Sequence, residues 1–202
     1  MIYLASQSPR RSEILKNLRI PFRVVRSAYT EKNSRKINPE ILVLEHAWGK
    51  VSHAHVPKKA RFVLGSDTIV YCQDQILGKP RSLSEAKRML KMLSGREHRV
   101  FTGIVLGDLK TDSYGCGVAE TQVYMDVLSE GRIQEYFSEV SPWDKAGSYA
   151  IQEGPRIVKR IRGSYTNVVG FPVELLKLLL EDAGINPVYP RSQVKFNHKK
   201  YP

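Results

Sequence analysis

The sequence has few of the features that mark secreted, membrane-spanning or cysteine-dependent proteins. Its 202 residues include only two cysteines, Cys72 and Cys116, which are too few for a disulfide framework and lack metal-ligand spacing. No apolar run is long enough to cross a bilayer, and the start of the chain lacks the charged-then-apolar pattern of a signal peptide. These absences predict a protein of a reducing, cytoplasmic compartment.

Two common catalytic signatures are also absent. The chain contains neither a glycine-rich Walker loop nor a Gly-x-Ser-x-Gly turn. Its cysteines and serines stand in no recognisable nucleophile context. The absences therefore count against P-loop chemistry and against catalysis through a covalent intermediate.

Basic residues, by contrast, are in excess. There are 32 lysines and arginines against 20 aspartates and glutamates, which gives a formal net charge of +12. This charge indicates an anionic partner, either nucleic acid or a phosphorylated small molecule. The last residues of the chain contain a group of basic side chains with almost no apolar periodicity, namely Arg191, Lys195, Lys199 and Lys200. We predict one domain over residues 1–186 and a flexible basic tail over residues 187–202.

Segments of strand type and helix type alternate along the chain. The predicted strands cover 2–4, 61–64, 69–71, 76–80, 99–106 and 118–127, and the predicted helices begin near Pro9, Pro39, Leu83, residue 129 and Pro172. Residues 73–75 are predicted to form a hairpin turn, and residues 144–149 a loop. The interleaving predicts an α/β fold with a mixed sheet.

Helical spacing predicts the buried faces of these helices. In the first helix the inward residues are Ile14, Leu15 and Leu18. In the helix after Asn38 they are Ile41, Leu44, Trp48 and Val51, with His46, Lys50 and His53 on the other side. In the third helix they are Leu83, Ala86, Leu90 and Leu93, and Ser82 with Glu85 predicts a capping box at its start.

The first helix begins with two adjacent cations. Ser8 is the predicted N-cap and Pro9 occupies the first helical position, so Arg10 and Arg11 lie in the first turn. The partial positive charge of a helix N-terminus disfavours each of them by about 0.3–1 kcal/mol. The pair therefore indicates either two solvated arginines on the surface or a binding site for an anion such as phosphate.

Other charged residues allow both a functional and a plain interpretation. Asp67 interrupts an apolar strand, so it needs a cation, a metal or several hydrogen bonds, unless it forms an Asx turn close to Gly65. Lys79, between a glycine and a proline, is either an aimed ammonium group or an ordinary exposed turn lysine. His46 and His53 could share a helix face, but no third ligand is supplied and solvated histidines are favoured.

The segment Leu4-Ala5-Ser6-Gln7-Ser8-Pro9-Arg10-Arg11 resembles the opening signature of the Maf-like nucleotide pyrophosphatases. Further motifs of that family follow in the same order, namely Gly65-Ser66-Asp67-Thr68, Leu77-Gly78-Lys79-Pro80, Leu93-Ser94-Gly95, Asp144-Lys145-Ala146-Gly147, Ile151-Gln152 and the segment from Gly163 to Gly170. Because the matching blocks run in order from Leu4 to about Gly184, chance does not explain the resemblance.

The resemblance implies a fold and an activity. The fold is inosine-triphosphatase-like, with a mixed twisted sheet flanked by helices and two lobes around a deep cleft. The activity is hydrolysis of nucleoside triphosphates to the monophosphate and pyrophosphate with a divalent metal cation, Mg²⁺ or Mn²⁺. Such a reaction needs cations to neutralise the departing pyrophosphate and a carboxylate to orient or deprotonate water, and direct hydrolysis is expected.

The resemblance also assigns roles to residues of this chain. Asp67 matches the catalytic carboxylate, which activates water or holds the metal, and Glu31 takes the place of an acidic residue that shares the metal. The aspartate that often precedes that position is absent here. The matching phosphate-binding positions are Ser6, Arg10, Arg11, Lys50 and Lys79.

Three positions bear on the substrate. Arg10, Thr68 and Gln152 resemble the branch of the family that acts on dTTP and UTP rather than on 7-methyl-GTP, so phosphate binding is assigned more firmly to Arg11 than to Arg10. After Gln152 the usual Gly-x-Gly is replaced by Glu153-Gly154-Pro155. If that loop contacts the base, Glu153 alters selectivity.

Our hypothesis from the sequence is a cytoplasmic house-cleaning pyrophosphatase for pyrimidine nucleoside triphosphates. The first alternative is a 7-methyl-GTP pyrophosphatase, which differs only in the base pocket. The second is a non-enzymatic nucleic-acid-binding regulator of cell division, suggested by the basic charge. Nucleic acid is not the expected partner, because no DNA- or RNA-reading motif is recognised. The resemblance implies a homodimer.

Overall fold

A mixed β-sheet forms the centre of the fold. The computed structural model describes residues 1–32 and 38–185. The sheet consists of β1 (Ile2–Leu4), β2 (Phe22–Val24), β3 (Phe62–Cys72), β4 (Gln75–Leu77), β5 (Glu97–Asp108), β6 (Ser113–Met125) and β7 (Val158–Arg162). The strand order is β2-β1-β3-β5-β6-β7, with β4 paired to β3 off this path. β1 runs parallel to β2 and β3, and the other pairs are antiparallel.

Helices flank this sheet. They are α1 (Pro9–Asn17), α2 (Pro39–Ser52), α3 (Leu83–Leu93), α4 (Glu130–Glu139), α5 (Tyr165–Val169) and α6 (Val173–Asp182), with a 3-10 turn at Ala146–Ser148. The predicted α/β class with a mixed sheet is confirmed. None of the described helices combines the length and the apolar character that a membrane span requires. The tail predicted over residues 187–202 lies outside the described residues.

The long strand β3 carries Asp67 through the middle of the sheet. The predicted break at residues 65–68 does not occur, because the backbone continues to pair with β5 and Asp67 lies opposite Gly103. Asp67 therefore makes no Asx turn. It lies in a buried strand, where its carboxylate needs polar partners.

Helix α2 packs on β3 and β5 through two glycines. A Cβ atom at Gly65 would lie 2.4 Å from the carbonyl oxygen of Ala47, and one at Gly103 would lie 2.6 Å from that of Val43. Both distances are far below van der Waals contact, so only glycine allows the helix backbone to come this close to the sheet. This approach brings the inner face of α2 within reach of Asp67.

The predicted buried face of α2 is confirmed at Val51 but is wrong at Ile41 and Trp48. Ile41 and Trp48 are 54% and 44% exposed, and the buried face is formed by Leu42, Val43, His46 and Ala47. The apolar spacing is misleading here because the buried face contains small and polar residues. The ring nitrogens of His46 find their partners only in the folded chain.

The other helix predictions hold with smaller corrections. Ile14, Leu15 and Leu18 are buried as expected, and so are Ala86, Leu90 and Leu93, but Leu83 is 45% exposed. Leu83 is the first residue of α3, where the helix has not yet reached the core. Ser82 accepts the predicted capping bond from the Glu85 N–H, whereas the Glu85 carboxylate accepts from the Arg81 N–H rather than completing the box. β2, β7 and α5 are short elements that were not predicted.

Candidate active site

A cavity of about 660 Å³ brings together distant parts of the chain. Its walls come from the β1–α1 loop, the middle of β3, α2, the segment after β4 and the segment 143–152. Every site residue predicted from the sequence lines it, namely Ser6, Arg10, Arg11, Glu31, Lys50, Asp67, Thr68, Lys79 and Gln152. The cavity confirms the expected cleft.

Asp67 and Lys50 form the buried centre of this cavity. The Lys50 Nζ donates to Asp67 Oδ1 at 2.6 Å and to the backbone oxygen of Ser66 at 3.1 Å. It also lies 2.7 Å from Glu31 Oε1. Lys50 thus joins the two carboxylates through one ammonium group, whose third contact is the Ser66 oxygen.

His46 completes the surroundings of Asp67, contrary to the sequence prediction that it is solvated. The imidazole is buried, its Nδ1 lies 2.9 Å from Asp67 Oδ2, and its Nε2 lies 3.4 Å from the backbone oxygen of Lys32. His46 and Lys50 are one helical turn apart on α2, so both reach the same aspartate. That i, i+4 spacing is the signal that could have identified His46 as a site residue.

These contacts control ionisation. Burial alone would raise the pKa of Asp67, but the hydrogen bond from His46 and the charges of Lys50 and Arg11 outweigh burial and hold that pKa well below its ordinary value. Burial alone would lower the pKa of His46, and the bond to Asp67 reverses this and raises it above 6.5. Asp67 is therefore an ionised carboxylate and a weak proton acceptor near neutral pH.

The same side chains fit a divalent cation. Glu31, His46 and Asp67 offer ligand atoms that all lie within 4.8 Å of one another. Two carboxylates with an imidazole suit Mn²⁺, and the carboxylates alone suit Mg²⁺. Lys50 bridges the two carboxylates, so a cation bound there would compete with its ammonium group.

Arg11 is buried and held by the protein itself. Its Nε donates to the Gly170 oxygen at 3.0 Å, and its Nη1 donates to Ser6 Oγ at 2.9 Å and to the Ser66 oxygen at 2.8 Å. Its Nη2 donates to Thr68 Oγ1 at 3.0 Å. Within the described part of the chain, four of the five guanidinium donors are thus in use. Burial lowers the pKa of Arg11, although the nearby Asp67 opposes the shift.

Arg10 has a different environment at the mouth of the cavity. Its Nη1 donates to Asp144 Oδ2, and its Nη2 donates to the Asp144 backbone oxygen at 2.9 Å. Asp144 also pairs with Lys145, which in turn lies 3.0 Å from Glu153 Oε2. A chain of alternating charges therefore runs from α1 to the loop after Gln152.

A comparison with protein families identifies the chain. A family model described as Maf-like protein matches residues 1–183. The chain belongs to this family. The Maf-like signature resemblance seen in the sequence is therefore confirmed over nearly the whole described chain.

Curated relatives agree with this assignment. The dTTP/UTP pyrophosphatase of Caldanaerobacter subterraneus subsp. tengcongensis is 43% identical over 187 residues, covering 91% of this chain and 90% of that protein. That of Geobacter sp. is 43% identical over 173 residues, covering 85% and 90%. That of Methanosarcina barkeri is 38% identical over 187 residues, covering 92% and 95%. Among solved structures, the Ham1 protein of Staphylococcus aureus has a TM-score of 0.41 at 10% identity, covering 61% of this chain and 71% of that one.

The remaining predicted residues of this Maf-like chain occupy the cavity wall. Lys79 and Gln152 are exposed there, whereas the Thr68 hydroxyl is bonded to Arg11 and lies 2.9 Å from Thr102 Oγ1. From the sequence, His46 is expected to be solvated, and Asp144 and Lys145 stand in a family motif without a role in the site. The motif Asp144-Lys145-Ala146-Gly147 is the signal that could have assigned Asp144 and Lys145 to the site.

Proposed function

We propose that this chain hydrolyses nucleoside triphosphates, with dTTP and UTP favoured, to the nucleoside monophosphate and pyrophosphate. The observation that carries the proposal is the Asp67–Lys50–Glu31 group, built on the buried carboxylate of Asp67, which shares one cavity with Arg10, Arg11 and other cations. A cavity with these charges suits a polyanion, and its size is that of a small-molecule site. The curated relatives carry the name of this activity.

In this proposal the side chains act by position and charge. Asp67, which stays ionised, accepts a hydrogen bond from a water molecule and orients it towards the α-phosphorus. A P–O bond forms as the bond to the bridging oxygen of the β-phosphate breaks, and the proton of the water passes to solvent or to the departing pyrophosphate. The cations of the cavity neutralise the charge that develops on pyrophosphate.

We further propose that the reaction uses Mg²⁺ or Mn²⁺ held by Glu31 and Asp67. Such a cation supplies additional charge neutralisation at the phosphate oxygens. His46 offers a nitrogen donor to the same place, which favours Mn²⁺. The proposed phosphate-binding residues are Arg10 and Arg11 together with Ser6, Lys50 and Lys79.

Selection of the base is assigned to Arg10, Thr68 and Gln152. Gln152 has a side-chain amide that can pair with a base edge from the exposed wall of the cavity. The Thr68 hydroxyl contributes by fixing Arg11. The proposal places the enzyme in the cytoplasm as a homodimer, with nucleotide rather than nucleic acid as its partner.

The test is pyrophosphate release from dTTP, UTP and 7-methyl-GTP, measured side by side with Mg²⁺ or Mn²⁺. We expect turnover of dTTP and UTP that EDTA abolishes and added metal restores. Asp67→Asn should lower kcat by about 100-fold or more, because the carboxylate charge is lost. Asp74→Asn, in the hairpin turn between β3 and β4, is the matched control and should keep full activity.

The outcomes separate the candidate functions. Turnover of 7-methyl-GTP alone would move the chain to the other branch. No release from any nucleotide would overturn the enzyme proposal and favour the regulator. Equal activity of parent and Asp67→Asn would remove Asp67 from its role.

A further inference from the structure

Trp143 has an indole ring at the cavity, and the sequence alone predicts no role for it. The side chain lines the cavity and is 52% exposed. A large aromatic ring gains little by remaining in water, and rings that stay accessible in a binding cavity are typical contact surfaces for flat ligands. Unlike the arginines and lysines of the cavity, an indole has no charge with which to neutralise a phosphate.

Trp143 is next in sequence to a residue that contacts Arg10. The next residue, Asp144, holds Arg10 through its carboxylate and its backbone oxygen. Trp143, Asp144 and Arg10 all line the same cavity. Gln152 lines the same cavity and lies on the same segment after α4.

The other aromatic rings of the cavity are already packed. The ring of Tyr29 lies 5.9 Å from those of His46 and His53. The ring of Tyr149 lies 5.4 Å from His98, and the Tyr149 hydroxyl lies 2.7 Å from the imidazole Nε2. In the part of the chain that the structure describes, Trp143 is the most exposed aromatic ring lining the cavity.

We propose that Trp143 stacks on the base of the bound nucleotide. The inference rests on the proposed function, since it assumes a substrate with a polyanionic end and a flat aromatic end. The Asp67–Lys50–Glu31 group and the arginines suit the first, and the indole suits the second. Because every base has a π-face, stacking adds affinity for nucleotides in general and leaves the choice of base to polar groups such as Gln152.

The first experiment compares steady-state kinetics of Trp143 variants. Trp143→Ala should raise KM for UTP about 10-fold, because base–aromatic stacking is lost. Trp143→Phe should stay within about threefold of the parent, since it keeps an aromatic face. Inhibition by inorganic tripolyphosphate, which has no base, should be unchanged in both variants. Trp48→Phe is the matched control, because Trp48 packs on Tyr114 and does not line the cavity.

The second experiment uses fluorescence. The chain has two tryptophans, so Trp48→Phe leaves Trp143 as the sole indole. Titration with the non-hydrolysable α,β-methylene analogue of UTP should quench its emission with a saturating curve, and tripolyphosphate should not. The reciprocal variant Trp143→Phe, which keeps Trp48, should show no change.

The results distinguish this inference from the proposed function. If the parent releases pyrophosphate from UTP while Trp143→Ala keeps the parental KM and the Trp143 emission does not respond, stacking is wrong and the activity stands. If Trp143→Ala weakens tripolyphosphate inhibition as much as it raises KM for UTP, the residue acts on the phosphate site and stacking is also wrong. If no nucleotide is turned over, the proposed function itself fails.

Discussion

Arg10 and Arg11 are neighbours in the sequence but have different surroundings. Arg11 is 7% exposed and joins the β1–α1 loop, β3 and the backbone after α5 through four hydrogen bonds. Arg10, by contrast, bonds to the carboxylate and the backbone oxygen of Asp144. The firmer assignment of phosphate binding to Arg11 than to Arg10 stays a prediction, and four of the five Arg11 donors are already bonded within the described part of the chain.

The two arginines should therefore respond differently to substitution by lysine. Arg11→Lys keeps the charge but cannot reproduce the planar fork, so at least one of the Arg11 bonds to the Ser66 and Gly170 oxygens and to the Ser6 and Thr68 hydroxyls is lost inside the protein. We expect the free energy of unfolding to fall by about 2–4 kcal/mol. Urea denaturation followed by circular dichroism measures this change.

Arg10→Lys is the matched control. Its partner Asp144 is partly exposed, so the expected loss is only about 0.2–1 kcal/mol. Equal losses in the two variants would show that Arg11 is not the structural residue described here.

His98 should make stability depend on pH. Its imidazole is 2% exposed, and burial lowers its pKa to about 3. The unfolded chain binds a proton at His98 below the ordinary pKa of 6.5, whereas the folded chain does not. The free energy of unfolding should therefore fall by about 1 kcal/mol per pH unit between pH 6 and pH 5.

The matched variant for this prediction is His98→Gln, which lacks the titrating ring. Its free energy of unfolding should show a slope that is smaller by that amount over the same range. His46 acts in the opposite sense, because folding raises its pKa and the folded chain binds that proton more tightly; parent and variant share this contribution, so it cancels between them. Identical slopes for parent and variant would contradict the buried, neutral imidazole.

At the scale of elements, the approach of α2 to the sheet is what assembles the site. Gly65 and Gly103 let the helix backbone lie directly on β3 and β5. The same contact sets the reach of His46 and Lys50 towards Asp67. A small change in this spacing should therefore alter stability and activity together.

Gly103→Ala tests this relation. Its new Cβ would lie 2.6 Å from the Val43 oxygen, which is backbone and cannot rotate away. We expect the free energy of unfolding to fall by about 1–3 kcal/mol and kcat for UTP to fall with it, as α2 moves outward. Urea denaturation and pyrophosphate release measure the two effects.

Gly131→Ala serves as the control. Gly131 is exposed in α4, and a Cβ there would come no closer than 3.9 Å to the nearest atom. Alanine should stabilise that helix by about 0.5 kcal/mol and leave kcat unchanged. A Gly103→Ala variant that behaved in the same way would contradict the close approach of α2.

At the scale of the whole molecule, Arg10 and Asp144 connect parts of the chain that are 134 residues apart. The contact joins α1 to the segment that carries Trp143 and Lys145 at the mouth of the cavity. Burial would raise the pKa of Asp144, but the bond from Lys145 and the charge of Arg10 keep it below its ordinary value. Asp144 is thus a charged partner at neutral pH.

Asp144→Asn should loosen this segment locally. We expect amide hydrogen exchange in peptides covering residues 143–152 to become about two- to fivefold faster, as a partly exposed ion pair contributes up to about 1 kcal/mol. Peptides from β5 should exchange as in the parent. Glu130→Gln, which breaks an exposed pair with Lys91, should change neither region. Unchanged exchange at 143–152 would mean that the Arg10–Asp144 ion pair does not restrain this segment.

Local signals predicted local structure well. Ser8, the proline after it and the spacing of Ile14, Leu15 and Leu18 predicted the start of α1 and its buried face, although the Ser8 side chain makes no capping hydrogen bond. The same reasoning failed for α2, because His46 is buried by its bond to Asp67, 21 residues away. Hydrophobic spacing contains no information about such a partner.

The sequence by itself determined the α/β class, the starts of most helices, the family motifs and the excess of basic side chains. These depend on interactions between residues a few positions apart, or on composition alone. Only the tertiary structure decided that Lys50 lies between Asp67 and Glu31, that Arg11 is buried, and that Trp143 remains open to the cavity. Ion pairing and desolvation depend on distances between remote groups and on how tightly they are packed, and folding alone sets both.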